Sequence, residues 1–139
     1  MLAVSGPAIV VGAAIVRDGL LLAQQRAYPE AVAGRWELPG GRVEPGESEA
    51  AAVVRECQEE LGVDVAVHDR IGPDVSLAGG EFVLRIHAAT LTDPDAEPVA
   101  HEHRALRWVH AEDLDNLDWL EADRILLPAL HALLVRPDA

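Results

Sequence analysis

A single cysteine, Cys57, among 139 residues leaves no partner for an internal disulfide, so the covalent staple of small secreted domains is excluded. Basic side chains are also scarce: 11 lysines and arginines face 24 aspartates and glutamates, a formal charge of -13. That balance argues against a nucleic-acid polymer as partner, because a phosphate backbone is held by a basic surface. A small polyanion stays within reach if metal ions screen it. The opening run MLAVSGPAIVVGAAIV has no basic segment ahead of its apolar stretch, so nothing in it signals export. It is also too short for a membrane helix and is interrupted by Gly12, which leaves a buried strand as its reading. A cytoplasmic location without a membrane partner is the resulting expectation. Aromatics are few, and Trp36, Trp108 and Trp119 are most of them; tryptophan in a small domain more often fills the core than binds a ligand. No repeat, charged tail or low-complexity linker is present.

Half of the residues are apolar, enough for one real core, and the length suits one domain over 1–139. Residues 8–16 and 20–24 read as strands around Arg17-Asp18-Gly19, an Asp-Gly hairpin signal between apolar runs. A loop rich in Pro, Gly and Ala over 27–35 leads to a short strand at Trp36-Glu37-Leu38, which ends at Pro39-Gly40-Gly41. Ser48 as N-cap and Gly62 after the last turn predict a helix over Glu49 to Leu61. Helical spacing puts Ala50, Val54, Cys57 and Leu61 on a buried face, with Ala52, Glu56, Glu59 and Glu60 on another. On the buried face Cys57 reads as a small hydrophobe and not as a reactive thiol. Further strands are expected at 63–67, 82–90 and 105–109, a helical turn at 111–114, and a closing helix over 123–135 carrying Leu126, Leu127, Leu130, Leu133 and Leu134. Strands mixed with two main helices predict an α/β/α sandwich with a central mixed β-sheet.

The acidic residues of the first helix carry a cost that a solvated face would not explain. Glu56 and Glu60 are like charges one turn apart, about 0.2–0.5 kcal/mol unfavourable. Glu59 and Glu60 lie near the negative end of the helix, about 0.3–1 kcal/mol each, and Arg55 offsets only part. A bound cation would neutralise the cluster, and hard oxygen ligands favour Mg²⁺ or Mn²⁺. Such an ion can hold substrate phosphates, polarise a phosphoryl oxygen and activate water, so phosphoanhydride hydrolysis is the chemistry to expect.

Residues Gly41 to Val63, GRVEPGESEAAAVVRECQEELGV, follow the pattern Gly, five residues, Glu, seven residues, Arg-Glu-apolar-any-Glu-Glu-any-Gly-apolar. This stretch resembles the Nudix box at every fixed position, with Cys57 where a larger aliphatic residue is commoner. The resemblance implies the Nudix fold and cleavage of a nucleoside diphosphate linked to another group. By motif position it implies that Glu56, Glu59 and Glu60 are metal ligands with the Gly40 carbonyl a further candidate, and that Glu47 and Arg55 orient them.

Three further segments resemble the MutT-like branch, which hydrolyses nucleoside triphosphates to monophosphate and pyrophosphate: Gln25-Arg26 with Trp36 to Gly41, His101 to Val109, and Trp119 to Arg124. Arg26 and Arg42 can each clamp phosphate through a planar fork or remain ordinary surface arginines. His101-Glu102-His103 invites a zinc reading, but loop neighbours seldom supply a tetrahedral set and no Cys or third His is suitably spaced. The resemblance instead makes Glu102 an extra metal ligand or general base. Asp123 precedes an apolar helical run and would make a good N-cap, whereas its place in Ala-Asp-Arg resembles the position that reads the nucleobase. An ionised Asp accepts hydrogen bonds, which suits N4 of cytosine or the donors of an oxidised guanine. Trp119 and Phe82 are candidate walls of a base pocket.

The leading expectation is a Mg²⁺-dependent nucleoside triphosphate diphosphatase, monomeric or homodimeric, serving nucleotide-pool sanitation on 8-oxo-dGTP or hydrolysing CTP, dCTP or 5-methyl-dCTP. The rivals are the same catalysis on ADP-ribose, a dinucleotide or a sugar nucleotide, and a non-catalytic nucleotide-binding module, against which the intact acidic set argues. The 72–81 segment, punctuated by Gly-Pro and Gly-Gly, reads as either a mobile lid or a turn.

Overall fold

A computed structural model describes residues 6–136; residues 1–5 and 137–139 of the expected 1–139 domain lie outside them. The strands are β1 (Ala8–Arg17), β2 (Leu20–Gln25), β3 (Trp36–Glu37), β4 (Gly40–Arg42), β5 (Val65–Leu77), β6 (Phe82–Leu91) and β7 (Ala105–Val109). The helices are α1 (Glu49–Leu61), α2 (Glu121–Ile125) and α3 (Leu127–Leu134). The sheet runs β3-β2-β1-β6-β5, with β4 added to β1 and β7 to β2. Among the strands named here only β1 and β6 pair in parallel, from Ala8↔Phe82 to Ile15↔Ala89, with an isolated parallel bridge between Trp36 and Trp119. A parallel pair needs a long crossover, and α1 with β5 supplies it.

β1 is apolar throughout because both of its faces are covered. Val11, Ala13 and Ile15 pack with Ala52, Val53, Cys57 and Leu61 of α1. Ala14 and Val16 face the opposite layer, with Leu126, Leu127, Leu130, Leu133 and Leu134. Each leucine removed from water in this way stabilises the fold by about 1.5–3 kcal/mol. The two cores make the α/β/α sandwich with its mixed sheet, as expected. Among the described residues no helix is long and apolar enough to cross a membrane.

Several expectations need correction. Ala50 is exposed and Val54 only half-buried, while Ala52 is buried. The stripe facing the sheet is therefore Ala52, Val53, Cys57 and Leu61, which turns the row 52-56-60 towards β4. The closing helix breaks at Leu126, because Pro128 stands in the first turn of α3 and has no N–H to donate back to α2. Segment 72–81 is not a loop: β5 continues to Leu77, and register shifts after Val67 and Ile71 absorb Gly72 and Pro73. Bulges on an edge strand are where a sheet tolerates proline. Only Ala78–Gly80 forms a turn, with Gly79 and Gly80 at φ 66° and 95°. Of the two readings for 72–81, the turn is the one seen, at Ala78–Gly80.

Candidate active site

α1 starts and stops as its ends dictate. Ser48 Oγ accepts a hydrogen bond from the Ala51 N–H at 3.0 Å, and Gly62 closes the helix in the left-handed region at φ 68°. Between these ends the row Ala52, Glu56, Glu60 comes down onto the double glycine of β4. The Gly40 N–H donates to Glu60 Oε2 at 2.9 Å. A Cβ on Gly41 would stand 2.4 Å from Glu56 Oε2, and one on Gly40 would stand 2.0 Å from the Val11 carbonyl oxygen. Both positions need glycine for space, one against a carboxylate and one against the sheet.

Glu60 is the least compensated of the acids. Burial pushes its carboxyl up to about 7, although the Gly40 N–H pulls the other way. Its second oxygen receives only the amide of Gln24, at 3.4 Å. Burial also raises Glu56, against the pull of Arg55. Arg55 is engaged more fully than the sequence suggested. Its Nε and Nη2 hold Glu47 at 2.8 and 2.9 Å, and its Nη1 holds Glu56 at 2.6 Å and Glu59 at 3.3 Å. It also reaches the Arg42 carbonyl at 3.0 Å and Glu44 at 3.1 Å. This hydrogen bonding draws Glu47 down to about 2. The repulsion along α1 is thus offset for Glu47, Glu56 and Glu59, and Glu60 stands outside that network.

Glu56 and Glu60 converge on Gly40-Gly41, while Glu59 is exposed on the solvent side. Among the described residues no three Asp, Glu, His or Cys side chains form a finished metal cage. The donor set fits a hard cation nonetheless: it consists of carboxylate oxygens, and Glu60 is a half-buried carboxylate that pairs with no lysine or arginine among the described residues, with His103 the nearby positive group.

Glu60, Gly40 and Gly41 open into a cavity of about 350 Å³. Arg26, Tyr28, Glu37, Leu38, Glu102, His103, Leu120 and Asp123 also line it. Arg26 Nη1 lies 3.1 and 3.3 Å from the two Glu37 oxygens, and its Nε donates to the Tyr28 carbonyl at 3.1 Å. His103 Nε2 is hydrogen-bonded to Glu37 Oε2 at 2.8 Å. Asp123 Oδ1 accepts from the Leu38 N–H at 3.1 Å. Asp123 is 6% exposed, and burial pushes its carboxyl up to about 7.

The predicted site residues divide accordingly. Glu56, Glu60, Gly40, Arg26, Glu102 and Asp123 gather at or beside the cavity, and Glu47 and Arg55 brace the acids. Asp123 is not an N-cap: Leu120 holds that place, and the carboxyl turns to Leu38 instead. Trp119 is not a pocket wall, being wholly buried with its indole N–H donated to the Leu114 carbonyl at 2.7 Å. Phe82 lies under the Arg42 guanidinium, 4.8 Å from it, and neither residue lines the cavity. His101 Nδ1 meets the Glu59 carbonyl at 2.9 Å, so the two histidines flanking Glu102 take separate partners. Cys57 is buried, and burial raises its thiol to about 12. Sequence reasoning missed Gln24, Tyr28, Glu37 and His103 as parts of the site. Gln24 left one usable signal, an amide at the inner end of the apolar strand LLLAQQ, where a buried polar group needs a reason.

A family model described as the NUDIX domain matches residues 6–130. The chain is 50% identical over 119 residues to the Mycobacterium tuberculosis protein named "Putative 8-oxo-dGTP diphosphatase 2", covering 84% of this chain and 82% of that one. It is 40% identical over 124 residues to the CTP pyrophosphohydrolase of Escherichia coli, covering 89% and 91%. Among solved structures, that of the E. coli ORF135 protein superposes with a TM-score of 0.78 at 38% identity, covering 96% of each chain.

Proposed function

Because the chain belongs to the Nudix family, we propose that it hydrolyses a nucleoside triphosphate to the monophosphate and pyrophosphate, using Mg²⁺ with Mn²⁺ as a substitute. The observation that carries this reading is the pairing, on one cavity, of a half-buried carboxylate that makes no salt bridge to lysine or arginine among the described residues, Glu60, with a buried carboxyl, Asp123. One suits a cation and phosphates, the other the edge of a base. Glu56, Glu59 and Glu60 would hold the metal, with the Gly40 carbonyl as a further ligand. When bound, the metal supplies charge neutralisation on the phosphates and an acidified water.

The remaining work falls to protein groups. Arg55 and Glu47 keep the α1 carboxylates oriented. Glu102, exposed on the cavity wall, takes the proton of the water that attacks an internal phosphorus. The phosphoanhydride bond to the leaving pyrophosphate breaks, and the monophosphate departs with the base. Asp123 has one oxygen committed to Leu38 and the other free for a base amine or ring N–H. Cytidine and oxidised-guanine triphosphates both offer such donors, which accords with a role in cytidine nucleotide hydrolysis or pool sanitation. Relatives of both names are similar to this chain over 84% and 89% of its residues.

The test is a panel of CTP, dCTP, 5-methyl-dCTP, 8-oxo-dGTP, the ordinary triphosphates and ADP-ribose, each with Mg²⁺ and with products identified. Release of pyrophosphate, with one triphosphate leading in kcat/KM, is the expected result. Release of orthophosphate, or turnover of ADP-ribose alone, would contradict the proposal.

A further inference from the structure

Expectation placed Trp119 or Phe82 on the base pocket, and both are engaged elsewhere. Trp108 lies beneath the Arg17 guanidinium at 4.4 Å, and Trp36 packs on the α3-side core. Tyr28, 59% exposed, is the one Phe, Trp or Tyr among the described residues that line the cavity.

Its backbone is fixed although its ring is free. The Arg26 N–H donates to the Arg35 carbonyl at 2.8 Å and the Gly34 N–H to the Arg26 carbonyl at 2.9 Å, which closes the base of the loop. The Tyr28 carbonyl is held by Arg26, whose other nitrogen holds Glu37 on the same wall. Leu77, Leu84 and Leu120 give that cavity apolar surface, against which a flat heterocycle can lie. A ring presented from a pinned loop loses little freedom on stacking.

We propose that Tyr28 is the stacking platform for the nucleobase, an inference that rests on the nucleoside triphosphate reading above. Stacking uses the π-face that every base has, so Tyr28 adds affinity without choosing among bases. Choice stays with Asp123, which meets the base edge. The two residues therefore fail differently: loss of Tyr28 weakens all nucleotides alike, and loss of Asp123 changes their ranking.

The experiment compares Tyr28→Ala and Tyr28→Phe with wild type on CTP, dGTP and 8-oxo-dGTP. It adds the inhibition constant of inorganic tripolyphosphate, and calorimetric binding of the corresponding nucleoside monophosphates. Tyr28→Ala is expected to raise KM by roughly 5- to 100-fold on every triphosphate, with kcat within about threefold. Monophosphate binding should weaken in parallel, tripolyphosphate inhibition should not move, and Tyr28→Phe should restore wild-type values. Unchanged KM and unchanged monophosphate affinity in Tyr28→Ala would overturn the proposal, as would an equal loss against tripolyphosphate. Wild type that hydrolyses no triphosphate yet binds monophosphates through Tyr28 would sink the catalytic reading and leave the platform standing. Wild type that neither hydrolyses any triphosphate nor binds any monophosphate would overturn both.

Discussion

Two carboxyls meet the same cavity from opposite sides of the sequence. Glu60 comes from α1, within twenty residues of the glycines it touches; Asp123 comes from α2, 85 positions beyond Leu38, the residue that donates to it. Asp123 is buried and Glu60 half-buried, both are pushed up to about 7 by burial, and both accept a backbone N–H. They differ in their company. Glu60 stands beside the acids braced by Arg55, whereas Asp123 shares its wall with Glu37, Arg26 and His103. A phosphate-handling wall demands a fixed set of charges at fixed spacing, which a contiguous motif can supply. A base-reading wall needs only a few polar atoms at one place in space, and the chain can bring them from anywhere.

The largest expected effect lies on the first wall. Glu60→Gln should lower kcat by roughly 10²- to 10⁴-fold while nucleotide affinity measured with the monophosphate stays near wild type. A rate within a few-fold of wild type would make Glu60 no different in kind from any buried carboxyl. Gly41→Ala places a methyl 2.4 Å from Glu56 Oε2 and should cost about 10- to 100-fold, the range seen when support around a metal ligand is lost. The melting temperature separates this outcome from misfolding, since Gly41 has no backbone obstruction.

That difference between the walls also governs what was legible. The Nudix-like stretch gave the helix limits, the brace and the converging acids, because helical periodicity converts spacing directly into a shared face. Its buried stripe was misplaced, since packing against β1 and not the count of apolar residues decides which side of a helix goes in. Asp123 could be found only by resemblance, and its partner Leu38 not at all, because no local rule joins positions so far apart. Trp119 was expected on the pocket and Tyr28 was not singled out, for a related reason: a bulky ring is as useful in the core as on a wall, and only tertiary position decides.

On the second wall the expected effects are smaller. Asp123→Asn should alter the ratio of kcat/KM between cytidine and oxidised-guanine triphosphates by about 10-fold or more, leaving tripolyphosphate inhibition unchanged. An unaltered ratio would remove Asp123 as the reader. The smallest effect treats the two carboxyls together, in metal-free protein. Both bind protons more tightly folded than unfolded, since their ordinary values are 4.5 for Glu60 and 3.8 for Asp123 against about 7 in the fold. Their contribution to stability is therefore present at low pH and is lost as pH rises from about 4 through 7. Glu47 acts oppositely, its contribution being lost only as pH falls from 4.5 towards 2. Thermal melts from pH 5 to 8 should show a decline on the order of 5 °C that flattens in the Glu60→Gln, Asp123→Asn double variant. Added Mg²⁺ should remove the Glu60 share. Parallel slopes in the two proteins would show that neither group is the source.

Leu38, Pro39 and Gly40 join the two walls. Leu38 donates to Asp123, Gly40 donates to Glu60, and between them the Pro39 carbonyl is fastened to the Ala13 N–H at 2.7 Å. Two residues of chain span at most about 7 Å and Pro39 is a bend, so this tripeptide works as a short bracket bolted to the sheet at its midpoint. On the proposed reading it would set the interval between the carboxyl that meets a base and the acids that face its phosphates. A nucleotide of another length would be read correctly at one mark and miss the other.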